Sequence, residues 1–339
     1  MKLRTLPCLA LSLLLLAGCT AQAEPVEATF FAMDTVMTLQ VYGADQALLD
    51  QLREEVLRLE GLWSVTDENS EIYAADHAGG QPVTVSEDTA DLLSQALAIG
   101  QATGGALSLT IYPVVRSWGF TTGEYRVPSQ QELDALLPLV DDSRVELDGT
   151  TLTLPEGVEL DLGAVAKGYT GQRLAQLLRD AGVTSALLDL GGNIQTVGGR
   201  PDGGAWRVAV RDPEGEDYAA VLEVEDQAVV TSGGYERYFE QGGARYWHIL
   251  DPATGQPART GLLSVTVAGP SGTVCDALST ALFVMGPEKA AEFWQAQPDL
   301  DFDFLLLHED GSVTYTEGLE GRLTLSGDWA DRPVEVVRR

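Results

Sequence analysis

Residues 35–42, Thr-Val-Met-Thr-Leu-Gln-Val-Tyr, alternate apolar and polar side chains as a half-buried strand does. The period then changes. Leu48, Leu49, Leu52, Val56, Leu57 and Leu59 recur at helical spacing and predict an amphipathic helix over 45–62. A second helix is predicted over 86–103, with Ser86 as its N-cap and Gly104-Gly105 as its stop. Short strand patterns follow at 151–154 and 158–160, then at 184–190, 205–211, 220–225, 244–250 and 262–268, divided by Gly, Asp and Pro turns. A helix over 273–285 and a strand-rich tail complete the chain. Strands and helices mix without a strict strand–helix–strand rhythm, which predicts an α+β fold rather than a doubly wound sheet.

The segment Asp161-Leu-Gly-Ala-Val-Ala-Lys-Gly-Tyr169 lies between a strand pattern and a helix running on through Leu174, Leu177 and Leu178. A helix opening at Asp161 would collect unpaired N–H groups and the positive dipole end there, and Lys167 would add a full charge, a combination suited to phosphate. An ordinary capped helix with a solvated lysine fits the same residues. Asp276 and Thr280 are four residues apart, hence on one helix face, and are oxygen ligands for a hard cation such as Mg²⁺. Equally, Asp276 fits as a first-turn carboxylate with Thr280 a passenger, above a core stripe of Val274, Leu278, Leu282 and Met285.

There are three histidines. His77 and His308 each adjoin an acidic residue in predicted loops or element ends and read as solvated. His248 runs into the turn Asp251-Pro-Ala-Thr-Gly255, and both a structural imidazole and a general base fit it. No P-loop, dinucleotide fingerprint, HExxH or cysteine–histidine zinc spacing is present, and a Ser-His-Asp hydrolase would lack its nucleophile elbow.

Lys2 and Arg4 precede an apolar run, Leu9–Ala17, too short to span a bilayer. Leu16-Ala17-Gly18-Cys19 then resembles the lipobox of bacterial lipoproteins, in which the cysteine is lipidated and becomes the first mature residue. On that resemblance residues 1–19 are a lipoprotein signal, residues 20–28 a short tether, and 29–339 the folded part. That part is expected to be lipid-anchored on the extracytoplasmic face of a bacterial membrane. Of three cysteines only Cys275 remains after the signal and lipid site, so no intramolecular disulfide is expected, and Cys275 reads as a buried apolar residue. The formal charge of −30 disfavours nucleic acid and anionic headgroups as partners. An anionic ligand would need local positive help from a helix terminus, a lysine or a bound cation.

In order along the chain, the segments Met33-Asp-Thr35, Trp63-Ser with Asn69-Ser-Glu-Ile72, Tyr112-Pro with Trp118-Gly-Phe120, and Asp161-Leu-Gly-Ala-Val-Ala-Lys-Gly168 are joined by Leu190-Gly-Gly-Asn193, Thr231-Ser-Gly233, His248-Ile-Leu-Asp-Pro252 with Thr254-Gly255, and Asp276-Ala-Leu-Ser-Thr280. Together they resemble the ApbE-like FAD:protein FMN transferases, over about residues 29–325. The resemblance implies a T-fold-related α+β domain, and a reaction in which FMN passes from FAD to a threonine or serine hydroxyl of another protein while AMP leaves. It implies that Asp276, Thr280 and the Ala164 carbonyl hold Mg²⁺, that His248 is the catalytic histidine, and that Asp161 and Lys167 touch FAD. Met33, Thr66, Leu107, Ser108 and Ile249 would line the pocket.

Three positions depart from the pattern. Asp34 stands where glycine is usual, Leu107-Ser108-Leu109-Thr110 where Phe-Asp-Pro-Thr is usual, and Thr66 where an aromatic is frequent. The acceptor expected by analogy is an extracytoplasmic subunit of an Rnf-type or Na⁺-pumping redox complex. Two rivals stay open: a metal-dependent FAD pyrophosphatase releasing FMN and AMP, and a non-enzymatic FAD-binding lipoprotein.

Overall fold

A computed structural model describes residues 24–339; the signal segment, Cys19 and residues 20–23 of the expected tether lie outside the described residues. Its frame is a nine-stranded sheet. The strands are β1 (Val26–Ala32), β2 (Thr35–Val41), β3 (Ala186–Leu190), β4 (Asn193–Val197), β5 (Ala228–Gly233), β6 (Leu262–Gly269), β7 (Asp303–His308), β8 (Val313–Thr316) and β9 (Val334–Val337). They lie side by side in chain order, and every neighbouring pair is antiparallel except β8 and β9. The four longest helices among the described residues are α1 (Gln46–Trp63), α2 (Glu87–Ala102), α3 (Ala166–Asp180) and α4 (Gly272–Met285).

The alternation anticipated for 35–42 is realised. Met37, Leu39 and Val41 of β2 point inward and, with Leu188 of β3, bury Leu49, Leu52 and Val56 of α1 and Leu174 and Leu178 of α3. The opposite face of the sheet carries a second, three-stranded layer (Trp206–Arg211, Tyr218–Val224, Leu323–Leu325). Its Val208, Val210 and Leu222 pack on Val229, Ala268, Leu305 and Leu307. Among the described residues no helix is long and apolar enough to cross a membrane.

Several boundaries differ from expectation for identifiable reasons. The sheet begins at Val26, three residues inside the segment read as a tether over 20–28, because Val26, Ala28 and Phe30 turn toward the α1 face while Glu27 and Thr29 point out. Residues 158–160 pair with no strand. The helix expected to open at Asp161 starts at Ala166, with a turn over 163–165 in between. The strand expected over 244–250 ends at Trp247, leaving His248 in a bend. Nor is α4 a one-stripe helix: Cys275, Asp276, Ala277, Leu278, Ser279, Ala281, Leu282 and Phe283 are all buried, because α3 packs along one side and the sheet along another. His308 is not simply solvated, since its Nε2 lies 2.9 Å from the Thr314 hydroxyl.

Where α3 meets α4, two glycines face each other. A Cβ on Gly168 would overlap the Gly272 carbonyl and stand 2.6 Å from the Asp276 Cβ. Gly168→Ala is therefore expected to destabilise the fold by at least ~1–3 kcal/mol, read as an earlier denaturant midpoint, since backbone rather than a flexible side chain blocks the added methyl.

Candidate active site

Three connections lie at one end of the sheet: the Met33-Asp34 turn between β1 and β2, the Gly191-Gly192 turn between β3 and β4, and the segment leaving β5 at Gly233. Met33 and Asp34 both adopt left-handed backbone, φ 48° and 59°, as a two-residue hairpin turn requires. Aspartate is among the few non-glycine residues that tolerate this region, so Asp34 substitutes for glycine without losing the turn. The Met33 N–H donates to Glu60 of α1 at 2.7 Å, and the Thr170 hydroxyl of α3 lies 3.9 Å from its sulfur.

Asp161 is placed from both sides. Its own N–H donates to the Leu109 carbonyl at 2.7 Å, and the preceding Leu160 N–H donates to Asp76 Oδ1 at 2.9 Å. The Asp161 carboxylate accepts the Gly163 N–H at 2.7 Å, closing the turn before α3. The helix itself is capped from elsewhere. Gly168 N–H, in its first turn, donates to Asp276 Oδ2 of α4 at 2.8 Å.

Gly168 is the third residue of α3, so its N–H is one of the donors that a helix start leaves without an intrahelical acceptor, and Asp276 satisfies it. The Ala164 carbonyl, in the turn before the helix, accepts no backbone N–H. One turn further along α4, the Thr280 hydroxyl lies 3.3 Å from Ser232 Oγ of β5, which pairs more closely with Ser279 at 2.8 Å. Carbonyl, carboxylate and hydroxyl form an all-oxygen set, the donor chemistry of a hard divalent cation. Among the described residues no three or more His, Cys, Asp or Glu side chains gather as a metal site. A cation held here would therefore take its remaining ligands from water or substrate oxygens. The residues present fit the group.

Asn193 sharpens that fit. It is 2% exposed, its carboxamide lies beside Asp276, and neither of its polar side-chain atoms has a full hydrogen-bond partner. A buried unpaired amide is costly unless something completes it. The Leu190-Gly-Gly-Asn193 segment reads from sequence as a turn. Nothing in its spacing shows that its last residue reaches α4.

Lys167 has no ion pair among the described residues, and Arg237 has only the exposed Asp34, at 3.8 Å. Burial pushes the carboxyls of Asp161 and Asp276 up, and the Lys167 charge opposes this at both. The half-buried ring of His248 is held down at about 4 by desolvation, then by the charges of Arg237 and Lys167. Its Nδ1 lies 3.2 Å from the Arg237 carbonyl, which also receives the His248 N–H at 3.1 Å, fixing the ring against that carbonyl. Phe120 lies edge-on to the imidazole, centroids 6.3 Å apart. The Trp118 indole N–H donates to the Gly255 carbonyl at 2.8 Å and ties this aromatic segment to the turn after His248.

Asp161, Lys167, Ala164, Asp276, Thr280 and His248 are thus brought together. Met33 reaches the same end of the sheet through its turn. Leu107 and Ile249 are buried in one shared core cluster beneath the site. Thr66 stands exposed after α1 and bonds only to Ser64; no contact joins it to Lys167, Asp276 or His248. Ser108 points into a clamp that sequence reasoning missed. The Asp142 carboxylate accepts from the Ser108 and Thr110 hydroxyls at 2.7 and 2.8 Å, and from the Leu109 and Thr110 N–H groups at 3.0 Å each. A carboxylate absent from the 107–110 segment is thus supplied by a residue some thirty positions later. Asp142→Ala would strand four donors, and a loss of about 2–4 kcal/mol is expected, measured by urea unfolding.

The ApbE family model matches residues 33–304. A Klebsiella pneumoniae protein named FAD:protein FMN transferase is 36% identical, covering 82% of this chain and 88% of its own. One of the same name from Treponema pallidum is 34% identical, covering 90% and 91%. The crystal structure of the ApbE protein from Thermotoga maritima superposes with a TM-score of 0.82 at 32% identity, over 88% of this chain and 99% of that one. The flavin transferase ApbE from Vibrio cholerae gives 0.76 at 29% identity, over 91% and 98%. From Met33 in the hairpin turn to Phe304 in β7, so across every segment that builds the site, the chain belongs to the ApbE family.

Proposed function

We propose that this protein is an FAD:protein FMN transferase that works with a divalent cation, Mg²⁺ foremost. The observation that carries the reading is the buried Asp276 carboxylate at the first turn of α3, with the unbonded Ala164 carbonyl in the turn before that helix, Thr280 one turn along α4, and the charge of Lys167 acting on both Asp276 and His248. The names of the relatives support the same chemistry. In the reaction, an acceptor hydroxyl oxygen bonds to the FMN phosphorus of FAD, the bond from that phosphorus to the bridging oxygen breaks, and AMP leaves with that oxygen. Asp276, Thr280 and the Ala164 carbonyl would hold the cation, which supplies positive charge against the diphosphate as the bond breaks. Lys167 adds a second positive charge to the same region. His248, neutral at pH 7, accepts the hydroxyl proton and later releases it to the leaving group or solvent.

The lipobox-like Leu16–Cys19 supports a lipid-anchored protein on the extracytoplasmic face. The matching acceptor is a subunit of an Rnf-type or Na⁺-pumping redox complex. The test incubates the chain from Thr20 onward with FAD, Mg²⁺ and the soluble flavin-carrying domain of an Rnf-type subunit, and reads intact masses with free AMP and FMN. An acceptor gaining one FMN per AMP supports transfer. Free FMN with AMP and an unmodified acceptor, or FAD retained unchanged, overturns it.

A further inference from the structure

Seven large apolar or aromatic side chains are exposed among the described residues, and the two most exposed are direct neighbours. Phe31 is 67% and Val36 58% exposed, and they are cross-strand partners in the β1–β2 hairpin, two residues on either side of the Met33-Asp34 turn. They lie on the outer face of the sheet. The three-stranded layer packs on Leu187, Ile194, Val229, Ala268 and Leu305, and leaves the β1–β2 end bare.

This pair adjoins the reacting end of the molecule. Asp34, in the turn, faces the Arg237 guanidinium at 3.8 Å, and the Arg237 carbonyl anchors His248. On the other side of Arg237, exposed Tyr238 follows in sequence. Exposed Tyr125 stacks on Phe239 at 5.2 Å, and Phe120 bridges from that stack to His248. Phe31 and Val36, by way of Asp34 and Arg237, and Tyr125, by way of Phe239 and Phe120, form an apolar rim that leads to His248; Tyr238 lies against the Arg245 guanidinium, and Leu57, Tyr218 and Val334 lie on α1, the outer layer and β9.

Resting on the function proposed above, we propose that the Phe31–Val36 pair is where the acceptor protein docks, its surface seated on the hairpin while its hydroxyl-bearing segment passes the Asp34–Arg237 pair to His248. The chemistry argues for this occupant. A hydroxyl carried by a folded protein reaches His248 only if that protein covers the rim, and an apolar centre bordered by exposed charges is how such a contact is built. Two side chains are far short of the ~800 Å² per partner that a stable dimer buries, but they suit an encounter that must dissociate after each transfer. A net charge of −30 opposes settling on an anionic lipid surface.

The test is the double variant Phe31→Ser/Val36→Thr, beside Val334→Thr as an exposed control on β9. All are assayed for FMN transfer across a titration of the soluble Rnf-type acceptor domain, with FAD affinity and unfolding midpoint measured in parallel. The expected result is an acceptor KM raised at least tenfold in the double variant, with FAD affinity, kcat at saturating acceptor and the unfolding midpoint unchanged, and a control like wild type. An unchanged acceptor KM overturns the proposal. So does a concentration-dependent wild-type dimer lost in the variant, which assigns the patch to a second copy. Binding to phosphatidylglycerol vesicles lost in the variant while transfer is unaltered assigns it to lipid and likewise overturns it. Should wild type release AMP without labelling the acceptor, the functional reading falls first and takes the docking surface with it, a result distinct from a labelled acceptor with unaltered KM.

Discussion

Replacing His248 by glutamine lowers the rate of FMN transfer by about two to four orders of magnitude, while FAD still binds. Glutamine keeps a polar side chain of similar reach near the Arg237 carbonyl but accepts no proton at neutral pH. Burial and the charges of Arg237 and Lys167 keep the ring neutral well below pH 7. Bound diphosphate would counter those two cations and move the ring back toward the range in which proton transfer is fastest. The sign for stability comes from the same shift. A folded-state value near 4 against an ordinary 6.5 favours the neutral ring, so its contribution is present above about pH 6.5 and is lost as pH falls toward 4. Single-turnover AMP release, with FAD affinity followed by flavin fluorescence, separates the two effects. A variant that transfers at more than a tenth of the wild-type rate would remove His248 from the proton's path.

Asp276→Asn is the second large effect. The amide oxygen can still accept the Gly168 N–H, so α3 keeps its cap and the helix pair its spacing, but the only carboxylate in the oxygen set has lost its charge. Cation affinity is expected to fall by about 100-fold or more, beyond what removal of an outer-shell partner costs, with transfer falling in step at fixed Mg²⁺. Asp276→Ala would add the cost of an unpaired buried N–H, about 1–3 kcal/mol. The discriminating readout is thermal: Mg²⁺ raises the unfolding temperature of wild type and leaves that of Asp276→Asn where it was. An equal shift in both proteins would place the cation elsewhere.

What could be read in advance was whatever local chemistry decides. The spacing of Leu49, Leu52, Val56 and Leu59 marks α1 within a residue at each end, and the side chain of Ser86 caps the helix it precedes. The residues that build the site were named through motif resemblance, and the fold gathers most of them. The misses share a physical cause. Asp161 has the look of a helix N-cap, yet the carboxylate that caps α3 arrives from Asp276, more than a hundred positions away. Asp142 holds the 107–110 segment through four donors, but nothing near it in sequence marks it as anything other than a loop acid. The near-total burial of α4 comes from having partners on two sides, which a single-helix pattern does not reveal. Strand β1 carries the same alternation as β2, but its first three residues follow Pro25 and a run of small and polar side chains, a composition that reads as a tether.

The strands of the main sheet lie beside one another in the order in which they are made, the longest insertion between neighbours being residues 42–185, between β2 and β3. A chain emerging N-terminus first can therefore lay down each later strand against one already delivered. The hairpin tip, the turn before α3, and then His248 come out in succession, and α4, bearing both Asp276 and Thr280, emerges after all of them. Until then α3 has no carboxylate at its first turn, and the proposed cation site lacks both of its side-chain ligands. On the proposed mechanism the site is completed in one late step, after every other segment that contributes to it has been made.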